Sequence, residues 1–220
     1  MGADALLTKP IALVVALALV SLLPFVFMSL TAFVKISTVL QIAKSALGAQ
    51  SVPSGTVMMA LAAALSLLAM APVGETIVER AKPLLDAKLE TGELVERGID
   101  AVREPLREFL SANASEKERV RFLEVARRAR PEATRAKVTA TDLTVLAPAF
   151  VVTELTEAFA VGFLIFLPFL VLDLVVANVL LALGMQMLNP TQVSLPFKLL
   201  LFVAIDGWGL LAQALVSGYR

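Results

Sequence analysis

The 220-residue chain is 58% apolar and only 17% charged, against roughly 45–50% and about 25% in ordinary soluble domains. Its 19 basic and 19 acidic side chains cancel, so no overall field draws nucleic acid to it. Cysteine and histidine are absent, which excludes disulfide frameworks, Cys/His nucleophile pairs, Ser-His-Asp triads and zinc sites on those ligands, and no cofactor or metal is expected.

The first apolar run, Pro10–Val34, is 25 residues without a charge, long enough to cross a bilayer core of about 30 Å. A cleaved leader is the competing reading. Lys9 is a weak basic flank, however, and no A-x-A site closely follows Pro24. Pro24 is expected to kink the helix, because it lacks a donor and crowds the preceding turn. Lys35 and Lys44 are read as basic residues toward the tip of a hairpin, followed by a loop over Gly48–Gly55. A second run, Thr56–Val73, ends at Ala71-Pro-Val-Gly74. Together the two runs predict a helical hairpin.

A charged block follows. Residues 75–142 hold 14 basic and 14 acidic side chains, 28 of the 38 charges in the chain. Pro83 and Pro105 punctuate it. Ser115 and Glu118 match a capping box that opens a helix to Arg130, with an apolar stripe at Val120, Leu123 and Ala126. Arg127, Arg128 and Arg130 close that helix as charge opposing its dipole, not as a nucleic-acid patch, since acidic residues interleave throughout.

The third apolar stretch, Leu143–Leu183, is interrupted by Pro148, Glu154, Glu157, Pro168 and Asp173, with Phe159–Leu183 its cleanest spanning piece. Gly184–Pro190 reads as a turn. The last run, Leu195–Val216, carries Lys198 and Asp206 and completes a second hairpin. The expected fold is all-α: two kinked apolar hairpins, 1–74 and 143–220, flanking a charged helical domain over 75–142, in a membrane-complex protein.

Ionisable groups in apolar segments cost roughly 2.5–3.5 kcal/mol each on insertion, so Glu154, Glu157, Asp173, Lys198 and Asp206 need compensation. Glu154 and Glu157 share a helix face. Asp173, Lys198 and Asp206 lie on the two limbs of one hairpin, about 11 residues before and about 8 and 16 after the Gly184–Pro190 turn, and Lys198 and Asp206 are two helical turns apart on one face. Polar contacts between helices or subunits are one reading and a proton or ion relay another. A proton-coupled transporter would use Glu154, Glu157, Asp173 and Asp206, but the hairpins share no visible repeat of the kind transporters show. A Ser–Lys hydrolase on Ser37 or Ser45 with Lys35 or Lys44 rests on spacings that are common by chance. Basic residues at the hairpin tips and beside the charged block give opposite orientations, so charge does not orient the chain. Met185 and Met187 flank Gln186 in the turn; taken alone they are apolar residues at an interface, or a deformable seal.

Leu195-Pro-Phe-Lys-Leu-Leu-Leu-Phe-Val203 followed by Asp206-Gly-Trp208 resembles the C-terminal signature of the SctR/FliP family, the core export-apparatus proteins of type III secretion injectisomes and flagella. Gly162-Phe-Leu-Ile-Phe-Leu-Pro-Phe-Leu170, Asp173-Leu-Val175, Thr31-Ala-Phe-Val-Lys35, Ala46-Leu-Gly48 and Met70-Ala-Pro-Val-Gly74 extend the resemblance over both hairpins. The resemblance implies a structural, non-enzymatic pore subunit for unfolded protein substrates at the bacterial inner membrane. It implies five copies, assembled with SctS/FliQ-like and SctT/FliR-like partners and contacting export gate and switch proteins and lipid. It places Met185, Gln186 and Met187 on a methionine loop at the pore constriction, where Gln186 replaces the usual middle methionine. The proline pair of the first hairpin is likewise incomplete at Val52-Pro-Ser54. The short N-terminus and the ending Leu215-Val-Ser-Gly-Tyr219-Arg resemble the injectisome branch.

Overall fold

The computed structural model describes residues 14, 17–18, 21–22, 24–49, 53–86 and 91–219. Its elements are α1 (Pro24–Leu30), α2 (Phe33–Leu47), α3 (Gly55–Ala69), α4 (Ala71–Asp86), α5 (Thr91–Asn113), α6 (Glu116–Arg128), α7 (Glu132–Arg135), α8 (Leu143–Ala182), α9 (Pro190–Ala204) and α10 (Gly207–Ser217). No strand occurs among the described residues. Lys9, the leader reading and most of Val52-Pro-Ser54's upstream loop fall outside them.

The first hairpin is α2 against α3. Gly48 ends α2 in the left-handed region at φ 75°, its N–H donating to Ser45 O at 3.1 Å. This is the conformation glycine adopts without a Cβ penalty. Ser54 opens α3 by accepting from the Val57 N–H at 3.3 Å. The described break in the first apolar run falls at Thr31–Ala32, where α1 and α2 meet at 76°; the kink expected at Pro24 borders residues outside the described ones. The Thr31 hydroxyl explains the position. It donates to Phe27 O at 2.6 Å, accepts from the Phe33 N–H at 3.3 Å and lies 3.2 Å from the Ser66 hydroxyl of α3. A side chain that occupies the backbone groups of both flanking turns favours a break over a continuous ladder.

The second apolar run also bends, by 56° at Met70. Its last residues, Ala71–Gly74, form the first turn of α4, where Pro72 is tolerated because the amide it lacks has no helical partner there. The helix therefore runs on into the charged block. There α4 and α5 pack together, with Arg80 reaching Glu108 at 3.3 Å on the surface.

Ser115 caps α6 as expected, accepting from the Glu118 N–H at 3.4 Å. The reciprocal half of the box is replaced. The Ser115 N–H donates to Thr153 Oγ1 of α8 at 3.0 Å, and Glu118 pairs with Arg121 at 2.8 Å. The inward face of α6 keeps Leu123 and Ala126 of the expected stripe, half-buried, but Val120 is exposed, and Glu118 and Phe122 also turn inward. Phe122, the larger apolar group, packs against the cluster of Phe109, Leu110, Leu146 and Phe150 and sets the helix rotation. This cluster joins the charged block to the first half of α8.

The third run is one continuous 40-residue helix through both Pro148 and Pro168, where interruptions were expected. Neighbouring packing holds the turns that each proline deprives of a bond. Ala149 and Phe150 are buried against α5, and Phe169 is buried against Phe202 of α9. The backbone of α8 comes close to α2 at Gly162, where a Cβ would lie 2.5 Å from Ile42 Cδ1. The last run breaks by 58° between α9 and α10. At that break Asp206 adopts φ 52°, ψ 49°.

α8 is long and apolar enough to cross a membrane, and each of the three bent pairs qualifies if it counts as one span. Phe159, Phe163, Leu164, Val171 and Leu174 of α8 and Leu200 and Val203 of α9 are exposed. A surface this apolar calls for lipid or other protein against it.

Candidate functional site: two lysine clamps and a methionine tip

In the first clamp, Lys35 is 91% buried by its side chain. It stands in the first turn of α2, directly after the break, and so not at the hairpin tip as the sequence suggested; the Thr31–Ala32 bend turns it inward. Lys44 occupies the last turn of α2, half-buried, where its charge opposes the helix dipole. Lys35 Nζ lies 3.1 Å from Glu154 Oε1 and 2.7 Å from Glu157 Oε2. The Glu154 Oε1 contact is an ion pair without hydrogen-bond alignment, so attraction of charge holds it. Tyr219 donates its hydroxyl to Glu154 Oε2, and the same oxygen lies 3.2 Å from Ala32 O. Lys35 Nζ also sits 4.5 Å from the centre of the Tyr219 ring. Glu154 is fully buried, whereas Glu157 is half exposed. The expected shared face of the two glutamates is therefore real, and one ammonium serves both.

In the second clamp, Lys198 Nζ is 2.7 Å from Asp173 Oδ2 and donates to Ala46 O at 3.3 Å. Ser194 completes it by donating to Asp173 Oδ1 at 2.5 Å. One side chain thus pairs the two limbs of the second hairpin and satisfies a carbonyl at the C-terminal turn of α2. Lys198 is buried within the chain, where its contacts run between helices, the inter-helix half of the expected reading. It does not share a face with Asp206: the helix between them breaks at Ile205–Asp206, and Asp206 is exposed. The break itself is sterically set. A Cβ at Gly207 would lie 2.3 Å from the Phe202 ring, and one at Gly209 would lie 2.4 Å from the Asp206 carboxylate.

The tip between α8 and α9 is built by two caps. Gly184 at φ 73° ends α8 in a Schellman arrangement, with Met185 N–H to Leu180 O at 2.9 Å and Gly184 N–H to Leu181 O at 3.0 Å. Asn189 starts α9 by accepting from the Thr191 N–H at 3.0 Å, with Pro190 in the first turn. Between the caps Met185, Gln186 and Met187 are all exposed, Met187 at 99%.

Sequence reasoning missed Tyr219 and Ser194. Ser194 stands one helical turn before Lys198, so i,i+4 spacing places both on one face. Tyr219 is the only tyrosine in the chain, but nothing local in the sequence links it to Glu154.

An all-helical chain with internally neutralised charges in apolar helices and broad uncovered apolar faces is a membrane-complex protein. It matches the FliP family over residues 16–215 and belongs to that family. It is 44% identical over 209 residues to the hypersensitivity response secretion protein HrcR of Ralstonia nicotianae, covering 94% of this chain and 96% of that protein. It is 41% identical over 213 residues to the Yop proteins translocation protein R of Yersinia pestis, covering 97% and 98%. To the flagellar biosynthetic protein FliP of Bacillus subtilis it is 37% identical over 213 residues, covering 96% and 93%. Membership places the chain among structural secretion-apparatus components, not among enzymes.

Proposed function

We propose that the chain is a pore-forming subunit of a type III secretion export gate, conducting unfolded proteins across the bacterial inner membrane. The observation that carries this reading is the tip. Two exposed methionines and Gln186 are presented on a connection capped at both ends, with no side chain packed over them among the described residues. In a ring of copies such tips would converge into a constriction, and flexible, polarizable methionines can close around a passing chain and re-close behind it. Gln186 adds one amide per copy, which loosens an otherwise apolar seal.

The uncovered faces of α8 and α9 become assembly surfaces in this reading, buried by further copies, five by the family pattern, and by SctS/FliQ-like and SctT/FliR-like subunits. The three-part division at residues 74 and 142 separates the two pore-building hairpins from the charged block, which packs on α8. The assembly lies largely on the periplasmic side of the inner membrane within the secretion basal body. Export gate and switch proteins contact it, and secretion substrates traverse it. The pairing of Asp173 with Lys198, and the sharing of Lys35 by Glu154 and Glu157, support a fixed scaffold over the proton-coupled transporter.

Replacing Met185 and Met187 with glycine in the assembled complex tests the reading. Ion conductance of the closed complex in a lipid bilayer is expected to rise at least several-fold. Unchanged conductance in a correctly assembled variant would remove the constriction from these residues.

A further inference from the structure

We infer that Lys44 of one copy pairs with Asp206 of the next, so that the outer face of α2 seats the start of α10 from a second copy of this chain. The inference rests on the pore reading, since it needs adjacent copies. Its starting point is which charges are left over. Lys35 serves Glu154 and Glu157, and Lys198 serves Asp173. Among the described residues of the two hairpins this leaves Lys44 and Asp206 in no ion pair, one of each sign. An unpaired charge is costly in segments whose surface is otherwise apolar.

Each of the two sits at the helix end that suits its sign. Lys44 is in the last turn of α2, and Asp206 is the N-cap residue of α10. The approach of the Asp206 carboxylate to Gly209 puts it over the first turn of α10, where Asp206 is exposed. α10 runs back along α2: Trp208 and Leu211 pack on the cluster that holds Ala46 and Leu47, and Tyr219 reaches Ala32. The end of α2 and the start of α10 therefore lie at one level, yet Lys44 and Asp206 do not pair within the chain. Rotation about the axis of a ring preserves level, and it joins different surfaces of successive copies. Such a ring can set the C-terminal end of one α2 beside the N-terminal end of the next α10, with side-chain charges and helix dipoles both opposite in sign.

Polar side chains extend both surfaces. On α2, Ser37, Thr38, Gln41, Lys44 and Ser45 recur at helical spacing, Gln41 and Ser45 exposed and the others half-buried. Ile42 and Phe166 border this stripe as an open groove. On α10, Gln213 and Ser217 are exposed. Gln213 follows Asp206 by seven positions, and Ser37 precedes Lys44 by seven. Antiparallel helices therefore bring both polar pairs into register. A second copy satisfies the two leftover charges with each other, whereas a different subunit would have to supply both an acid and a base at this level.

The absence of cysteine allows a direct test on the full-length chain in the complex extracted with mild detergent. Lys44→Cys with Asp206→Cys in one chain, treated with a short bis-maleimide, is expected to give a ladder of linked copies, because each copy joins two neighbours. The spacer is needed because a Lys–Asp pair sets its Cα atoms farther apart than a disulfide spans. Either single variant alone is expected to run as a monomer on a denaturing gel, and the two co-expressed to give dimers only. No ladder from a species whose native mass shows several copies would overturn the inference and leave the pore reading standing. A species of one copy would remove both. Dimers from either single variant would also overturn it, as like surfaces meeting. A link from either position to a smaller subunit would overturn it by giving the surface to that subunit. The charges themselves are tested by exchange. Lys44→Asp and Asp206→Lys are each expected to lower the yield of assembled complex several-fold, and the exchanged double variant to recover about half of the parent yield or more. Singles that assemble at the parent yield, or a double variant no better than the singles, would refute the ion pair.

Discussion

Replacing Lys198 with methionine tests the second clamp with little change of shape. The lysine side chain is 3% exposed and Asp173 25%. Methionine fills most of the same volume but leaves the Asp173 carboxylate and Ala46 O without their donor. Removing one partner of a buried pair typically costs about 3–5 kcal/mol. Asp173 keeps the Ser194 hydroxyl and some solvent, which points to the lower end, about 3 kcal/mol. In a chain of this length that corresponds to a fall in Tm of roughly 6–12 °C. Trp208, the single tryptophan, lies edge-on to Phe202 at 4.9 Å beside the clamp and reports melting by its fluorescence. Adding Asp173→Asn to Lys198→Met removes the stranded charge. The double variant should regain about 1–3 kcal/mol relative to the sum of the singles. A Lys198→Met protein melting within about 2 °C of the parent, or strictly additive singles, would refute the claim that this pair fastens the hairpins.

Gly207→Ala places a methyl group into the buried Phe202 ring and is expected to cost about 1–3 kcal/mol; Trp208 emission should shift, and an unchanged spectrum and Tm would mean the break is not sterically set. Ser115→Ala removes the α6 cap at a cost of about 0.5–2 kcal/mol. Amide exchange at Lys117–Arg119 should quicken while α8 stays protected, and unchanged exchange would show the cap to be idle. Asp142, at the start of α8, accepts from the Thr139 hydroxyl at 2.8 Å and the Thr139 N–H at 3.1 Å, and these bonds hold its carboxyl below the ordinary 3.8. Its contribution to stability is therefore complete above about pH 4 and fades as the pH falls through the lowered value. Asp142→Asn should narrow the Tm gap from the parent as pH drops from 6 to 2, and a gap that is the same at every pH would contradict the assignment.

The sequence was most informative where a local pattern fixes the answer. Gly184, Asn189 and Pro190 encode the tip through backbone conformation and capping, and Ser115 encodes a helix start. Counting across that turn put Asp173, Lys198 and Asp206 on facing limbs but did not pair them; the Asp173–Lys198 contact comes from the structure. The breaks were harder to read. Thr31 and Asp206 interrupt helices, whereas Pro148 and Pro168 do not, because packing across α2, α5 and α9 outweighs the local cost of a proline. The Tyr219–Glu154 contact spans 65 positions and its Ala32 contact 187, separations over which no periodicity carries information. The α6 stripe holds at Leu123 and Ala126 and fails at Val120, because Phe122 takes part of the inward side.

The most direct test of the central claim is native mass spectrometry of the complex extracted in mild detergent. The account predicts a stable species containing several copies of this chain, with smaller apolar subunits bound, since the faces of α8 and α9 require cover. A chain that extracts quantitatively as a stable, folded monomer would contradict the pore reading, because one copy presents a single methionine tip and cannot enclose a channel.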